Sequence, residues 1–328
     1  MKNENRHKVL VIGELPAAAL DLFGARDDIA AEHITDVSEK SLLAAFPGTS
    51  GVALRAAVVT GDMIRSAPEL KVVSRYGVGY DNVDLDALND CGVPLTVVGE
   101  ANAVNVAELA IYMMLELAKR GRDHDRAVRG DDWTFKFQAN MIELWQKTLL
   151  IIGFGRIGRR VAARCKAFEM NVLACDPYID QQIIRDAGCT PVADYRSVLG
   201  EVDYMTVHVP KNDETVGMIA GSELAALKDT AIVINCARGG LVDEAALLDA
   251  LTNGRLFGVG LDVFDVEPPS PDHPLFEFDN VLCAPHMGGS SKEASLRMGM
   301  VCVQNVLDAI DGNLNLDMVI NPDVLERG

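Results

Sequence analysis

The chain has 328 residues, of which 30 are Lys or Arg and 48 are Asp or Glu, for a formal net charge of −18. That charge argues against nucleic-acid or anionic-membrane binding, but not against a small anionic substrate, because a few local arginines dominate a closed site. With 49% hydrophobic and 5% aromatic residues the composition is that of an ordinary globular protein, long enough for two domains. The seven cysteines are scattered without a C-x-x-C pair, which implies no metal site and reduced thiols, as in a cytoplasm. The start, Met1 to Arg6, is polar, and Val9-Leu10-Val11-Ile12 is too short for a signal segment or a membrane span.

In chain order, Lys8 to Gly13 reads as a strand and Ala17 to Phe23 as a helix after Pro16. Further strands are expected at Gly51 to Arg55, Lys71 to Arg75 and Pro94 to Val98, with helices over Ser38 to Phe46 and Leu85 to Asp90. This alternation predicts an α/β unit with a mainly parallel sheet and no phosphate-binding turn of its own. Asn102 to Lys119 predicts a long apolar helix, buried on nearly every side and crossing between units. Arg120 to Arg129 reads as charged and solvated, and Trp133 to Gln146 as an irregular connection.

The second unit begins with Leu149-Leu150-Ile151-Ile152, a buried parallel strand, followed by Gly153-Phe154-Gly155-Arg156-Ile157-Gly158 and a helix to about Glu169. G-x-G-x-x-G between a strand and a helix is a dinucleotide-binding fingerprint. The first glycine permits the turn, the second the approach of a pyrophosphate, and the third close packing of helix on strand. A strand over 171–175 ends in Asp176, about 20 residues beyond the glycines, where a carboxylate binds the ribose hydroxyls and repels a 2′-phosphate. NAD is therefore preferred over NADP. Further strands are expected at 202–207, 230–235, 256–260 and 280–283, with helices near 180–187, Ala193 to Leu199, Ser222 to Leu227 and Asp243 to Leu251. A last helix spans about Lys292 to Ile310.

Ligands of such doubly wound sheets bind beyond the carboxyl ends of the strands. Those ends carry His208-Val209-Pro210, Asn235-Cys236-Ala237-Arg238, Asp262 through Glu267, and Pro285-His286-Met287-Gly288. Arg238, Glu267 and His286 are thus candidate catalytic residues. The candidate cofactor contacts are Gly153, Gly155, Arg156, Ile157, Gly158, Asp176, His208, Val209, Pro210, Thr215, Cys236, Ala237, Arg238, Asp262, His286 and Gly288. His208 is read as shaping the cofactor pocket; His7, His33, His124 and His273 receive no role.

Taken together, Arg75 to Asn82, Val106-Ala107-Glu108, the glycine turn, His208-Val209-Pro210, Asn235 to Gly239, Asp262 to Pro269 and Pro285-His286 resemble the D-2-hydroxyacid dehydrogenase family. The phosphoglycerate dehydrogenase-like branch is the most similar, over essentially the whole chain. The resemblance implies a Rossmann-type cofactor domain, 102–290, inserted into a smaller flavodoxin-like substrate domain, 1–101 plus 291–328. It also implies closure on substrate and a homodimer made through the cofactor domain. The chain ends too early for the C-terminal regulatory domain of the long phosphoglycerate dehydrogenases, so a short form is expected.

The family's chemistry makes His286 the acid/base, Glu267 its partner and Arg238 the carboxylate-binding cation. Substrate contacts are implied at Arg55, Tyr76, Val78, Gly79, Asn102 and Arg238. Candidate substrates are 3-phosphoglycerate, hydroxypyruvate, glyoxylate and bulkier 2-keto acids. Two departures from the family pattern are read as packing changes, Trp145 and Leu150 in place of glycines before the fingerprint, and Tyr76 stands where phosphoglycerate enzymes often have a small residue. The alternative reading is an NAD-sensing, corepressor-like binding protein of the same fold. Formate dehydrogenase, a third member of the fold, has glutamine where this chain has Glu267.

Overall fold

A computed structural model describes residues 6–138 and 140–326, so the polar start before Arg6 lies outside the described residues. The chain divides into two compact units, one made of the segments up to Asn102 and from Gly289 onward, the other of Ala103–Gly288. The first unit opens with β1 (His7–Ile12), α1 (Ala17–Gly24), β2 (Ile29–Ile34), α2 (Glu39–Ala45), β3 (Thr49–Leu54), α3 (Gly61–Arg65), β4 (Val73–Arg75), α4 (Leu85–Cys91) and β5 (Leu95–Thr96). Its strands are all parallel, in the order β2-β1-β3-β4-β5, the flavodoxin-like arrangement. Caps define its helices: Ser38 and Asp84 accept N–H bonds at the starts of α2 and α4, and Gly92 ends α4 in the left-handed conformation. Leu10, Ile12, Val52 and Leu54 face one core, Val9 and Val11 the other. Strand β2 was not expected, because its Ala-Ala-Glu-His centre is polar and only Ile29 and Ile34 are buried.

The second unit contains α5 (Ala103–Lys119), α6 (Gly121–Arg129), β6 (Thr148–Ile152), α7 (Arg156–Ala167), β7 (Asn171–Cys175), α8 (Gln181–Asp186), β8 (Thr190–Pro191), β9 (Tyr204–Val207), α9 (Gly221–Ala226), β10 (Ile232–Asn235), α10 (Glu244–Thr252), β11 (Gly258–Leu261) and β12 (Val281–Cys283). The seven parallel strands run β12-β11-β10-β9-β6-β7-β8, so the order reverses between β6 and β9, the switch point of a Rossmann fold. Residues of α5 and α7 share one core with the sheet, and residues of α9 and α10 share the other.

Two expectations need correction here. Helix α5 is not buried all round: Tyr112 is 51% exposed, and one face packs on α7, β10 and β11. It starts where the chain passes from the first unit into the second and belongs to the second. Gly258 and Gly260 let it approach, since a Cβ at either position would stand 3.0–3.1 Å from Leu117 or Met113. The charged stretch 121–129 is solvated, as its polarity demands, yet helical, with no buried residue and an Arg129–Asp125 pair at 2.7 Å. Counted from Glu143, the family's first glycine position falls at Gln146 rather than Trp145. Gln146 has φ of +56°, a left-handed conformation that suits glycine.

The chain then returns to the first unit as α11 (Lys292–Asp311), capped by Ser291 and ended by Gly312. Glycines admit this helix closely. A Cβ at Gly299 would lie 2.8 Å from Pro16, and one at Gly51 would lie 2.7 Å from Val306. Among the described residues no helix is long and apolar enough to cross a membrane.

Candidate active site

The glycine turn leaves β6 at the switch point, and each glycine has a separate steric reason. Gly153 has φ of +94°, and a Cβ there would sit 2.5 Å from the carbonyl oxygen of His208 on the neighbouring strand end. A Cβ on Gly158 would fall 2.1 Å from the carbonyl oxygen of Gly153, so the helix packs directly on the turn. At Gly155 nothing lies within 4 Å of that position. Gly155 caps α7 without a side-chain hydrogen bond, which leaves the first amides of the helix for an anion. These features fit a dinucleotide pyrophosphate. Asp176 ends β7 and is bound into the same turn: Phe154 N–H donates to its Oδ2 at 2.8 Å and Tyr178 N–H to its Oδ1 at 2.9 Å.

His208 follows β9. Its Nε2 lies 3.0 Å from Thr206 Oγ1, its Nδ1 is buried without a partner, and burial pushes its pKa down to about 3, so the ring is neutral. Val209 is half-buried and Pro210 exposed, and Thr215 Oγ1 donates to the Pro210 carbonyl at 2.7 Å, closing that loop. Arg156 is exposed and Ile157 half-buried at the start of α7.

The loop after β10 is pinned by Asn235, which accepts from Ala237 N–H at 3.0 Å and donates to the Arg238 carbonyl at 2.8 Å. Cys236 is buried with its Sγ 3.7 Å from Met113 Sδ, and burial raises its thiol pKa. Arg238 Nη1 donates to the Ala237 carbonyl at 2.6 Å. Gly239 allows the next loop to close in, because a Cβ there would overlap the Phe264 carbonyl oxygen at 1.8 Å.

After β11, Asp262 is 1% exposed and accepts from Met287 N–H at 2.7 Å and Gly288 N–H at 2.8 Å. Its own carbonyl accepts His286 N–H at 2.8 Å. Asp262 thereby holds His286 at φ of +50°, a left-handed conformation rare for a residue other than glycine. Burial raises the Asp262 carboxyl pKa. Glu267 accepts from Phe264 N–H at 3.1 Å through Oε1, and its Oε2 lies 2.6 Å from His286 Nδ1.

The electrostatics rest on that pair. The hydrogen bond to Glu267 raises the His286 pKa against the opposing effect of burial. For Glu267, burial works upward, but the bonds from His286 and Phe264 and the charges of His286 and Arg238 bring it below the usual carboxylate value. A protonated imidazole beside a carboxylate, with an arginine in range, can donate a proton next to a bound anion.

In the first unit, Arg55 lies over the Tyr76 ring at 5.0 Å and donates to the Glu14 carbonyl at 2.7 Å. Tyr76 is 7% exposed, and its hydroxyl donates to the Ser295 carbonyl at 2.9 Å. Val78 and Gly79 are half-buried in a loop braced by Arg75, which donates to the carbonyls of Gly79, Leu54 and Arg55. Asn102 Oδ1 is buried without a partner. The sequence reading missed Asn235 as the pin of the arginine loop, although it stands inside a motif already singled out. It also gave His273 no role, whereas His273 Nε2 lies 3.1 Å from Glu244 Oε2.

Residues 111–288 match the family described as D-isomer specific 2-hydroxyacid dehydrogenase, NAD binding domain. The chain is 38% identical over 306 residues to the D-3-phosphoglycerate dehydrogenase of Archaeoglobus fulgidus, covering 93% of this chain and 58% of that one. It therefore spans little more than half the length of that relative. Among solved structures, the TT0316 protein from Thermus thermophilus superposes with a TM-score of 0.87 at 31% identity, covering 95% of this chain and 99% of the other. D-lactate dehydrogenase from Aquifex aeolicus, complexed with NAD and lactic acid, gives 0.84 at 27% identity, with 95% and 98% covered. The matched segment contains the glycine turn, the Arg238 loop and the Glu267–His286 pair, and the chain belongs to the D-isomer specific 2-hydroxyacid dehydrogenase family.

Proposed function

We propose that the chain is an NAD-dependent oxidoreductase that interconverts a D-2-hydroxy acid and its 2-keto acid, with His286 as acid/base. The observation that carries this reading is the 2.6 Å bond between His286 Nδ1 and Glu267 Oε2 at the strand ends of the dinucleotide-type sheet. NAD, when bound, supplies the hydride acceptor or donor. Gly155 and the first amides of α7 would hold its pyrophosphate, with Gly153 and Gly158 forming the turn beneath it, and Asp176 would hold its ribose. His208, Thr215, Cys236, Ala237, Asp262 and Gly288 are the further cofactor contacts.

With Nδ1 engaged by Glu267, the Nε2–H of His286 is the proton to be given to the substrate carbonyl, or taken back in the reverse direction. The bond to Glu267 raises the pKa and so holds that proton to a higher pH than an ordinary imidazole would. Arg238 grips the substrate carboxylate, for which its planar fork is better suited than an ammonium. Arg55, Tyr76, Val78, Gly79 and Asn102 are the proposed substrate contacts of the first unit. The Archaeoglobus relative puts 3-phosphoglycerate in the test panel. The carbonyl bonds of Arg75 favour testing the unphosphorylated hydroxypyruvate and glyoxylate beside it.

A homodimer through the second unit is supported by the exposed Val128, Trp133 and Met141, which line one hollow with Phe135. A cytoplasmic location is supported by seven free cysteines. The relative and the lactate enzyme named above favour turnover over the cofactor-sensing alternative.

The test is NADH oxidation by the purified protein against the 2-keto acid panel, with His286→Ala alongside. Loss of acid/base catalysis is expected to cost about 10²- to 10⁴-fold in rate. No turnover with any acid while NADH binds would overturn the enzymatic reading.

A further inference from the structure

Two carboxylate–histidine pairs stand on one dipeptide. Phe264 N–H donates to Glu267 Oε1, and Glu267 Oε2 meets His286. The next amide, Asp265 N–H, donates to Glu244 Oε1 at 2.8 Å, and Glu244 Oε2 lies 3.1 Å from His273 Nε2. His273 Nδ1 accepts the Leu275 N–H at 3.4 Å, which assigns the ring proton to Nε2 and directs it at Glu244. The side chains of Glu244 and His273 are only 17% and 16% exposed. The His273 ring is clamped by Phe264 and Phe276, with centroids at 5.7 Å and 5.2 Å. The same dipeptide meets the residue after Arg238: a Cβ on Gly239 would lie 1.8 Å from Phe264 O and 2.8 Å from Asp265 N.

We infer that Glu244 and His273 are positioning residues for the Glu267–His286 pair, fixing the Phe264–Asp265 backbone on which Glu267 and the Arg238 loop both rest. The inference rests on the acid/base role proposed for His286. One carboxylate joins two donors that come from separate segments, so Glu244 ties the start of α10 to the loop after β11 and to His273. A glutamine has one oxygen to offer, and its amide turns a donor toward another donor. The Asp265 amide then loses its fixed acceptor, and the aim of Glu267 loosens with it. The charged groups about the outer pair are Asp243, Asp265, Asp272 and Lys211, and those about the inner pair are Asp262 and Arg238. None of these is altered in the test.

The test is an NMR titration of the His286 imidazole in the full chain, the signal being assigned by its loss in His286→Asn. Wild type is compared with Glu244→Gln, His273→Phe, which keeps a ring between Phe264 and Phe276 but has no donor, and His273→Gln, which keeps a donor. In the first two variants the His286 midpoint is expected to move down toward the ordinary histidine range, while His273→Gln stays with wild type. In NADH oxidation the alkaline limb moves the same way, with about fivefold loss of kcat at pH 8 and little at pH 6. A folded Glu244→Gln or His273→Phe with the wild-type midpoint overturns the inference. If Glu244→Gln does not fold, the Phe and Gln variants of His273 decide the matter. The titration needs no turnover, so a wild type inactive on every acid refutes the proposed function while the positioning result is still read.

Discussion

Glu267→Gln probes the centre of the proposed chemistry. In wild type the His286–Glu267 contact is 2.6 Å, with side chains 49% and 35% exposed. A hydrogen bond to a charged group contributes about 1.5–3 kcal/mol. Solvent screening at this exposure reduces that to about 1 kcal/mol or slightly more. That energy is about a five- to tenfold change in the protonation equilibrium of His286.

The two partners act over opposite pH ranges. The raised His286 contributes stability that is fully present below its unfolded value and is lost as pH rises through its folded value. The lowered Glu267 contributes stability present above its unfolded value and lost as pH falls. The pair is therefore strongest between the carboxylate and histidine ranges, roughly pH 5 to 7. The assays are the pH profile of kcat for 2-keto acid reduction and thermal unfolding across the same range. Glu267→Gln should retain most of its activity near pH 5.5 and lose about tenfold near pH 8, where the variant's imidazole has lost its proton. Its melting temperature should also lose the extra stability of the pH 5 to 7 window. An equal loss at both ends, or an unmoved alkaline limb, would refute the argument.

The remaining expectations concern the cofactor and the backbone. Asp176→Ala should weaken NADH binding and relax the discrimination against NADPH, measured by fluorescence titration with both; equal use of the two by wild type would contradict the role given to Asp176. Gly155→Ala adds a methyl where nothing lies within 4 Å, so its stability should stay within about 0.5 kcal/mol of wild type while NADH affinity falls about tenfold or more. Gly239→Ala drives a Cβ into the Phe264 carbonyl and should cost about 2 kcal/mol or more in denaturant unfolding. A Gly155→Ala protein that binds NADH normally would remove the turn from the cofactor site.

Much of the site was legible because its residues come directly after strands whose apolar runs are continuous. Leu149 to Ile152 and Ile232 to Ile234 read as buried parallel strands between turn residues, and the residues after each lie at the ligand edge. Strand β2 was not legible, since an edge strand buried only at its ends carries no alternation to read. Nor was the brace formed by Arg75, whose side chain reads from the sequence as a free cation but donates to three carbonyls. Glu244 and His273 are 29 residues apart, and only the fold shows that they meet. The left-handed backbone at Gln146 was not legible either, because a positive φ leaves no mark on composition.

The interrupted first unit has a consequence for how the protein is made. The second unit is contiguous, and all its strands have been synthesised once Gly288 leaves the ribosome. The first unit begins earlier but cannot finish: Val9, Val11 and Val72 share a core with Met298, Val303 and Val306 of α11. Until α11 emerges, that face of the nascent β1–β5 sheet is covered only by α1, through Ala19 and Phe23, and a chain released early would present the rest of its apolar surface to other chains or to chaperones. Of these two units, the one begun first is thus the last to be completed.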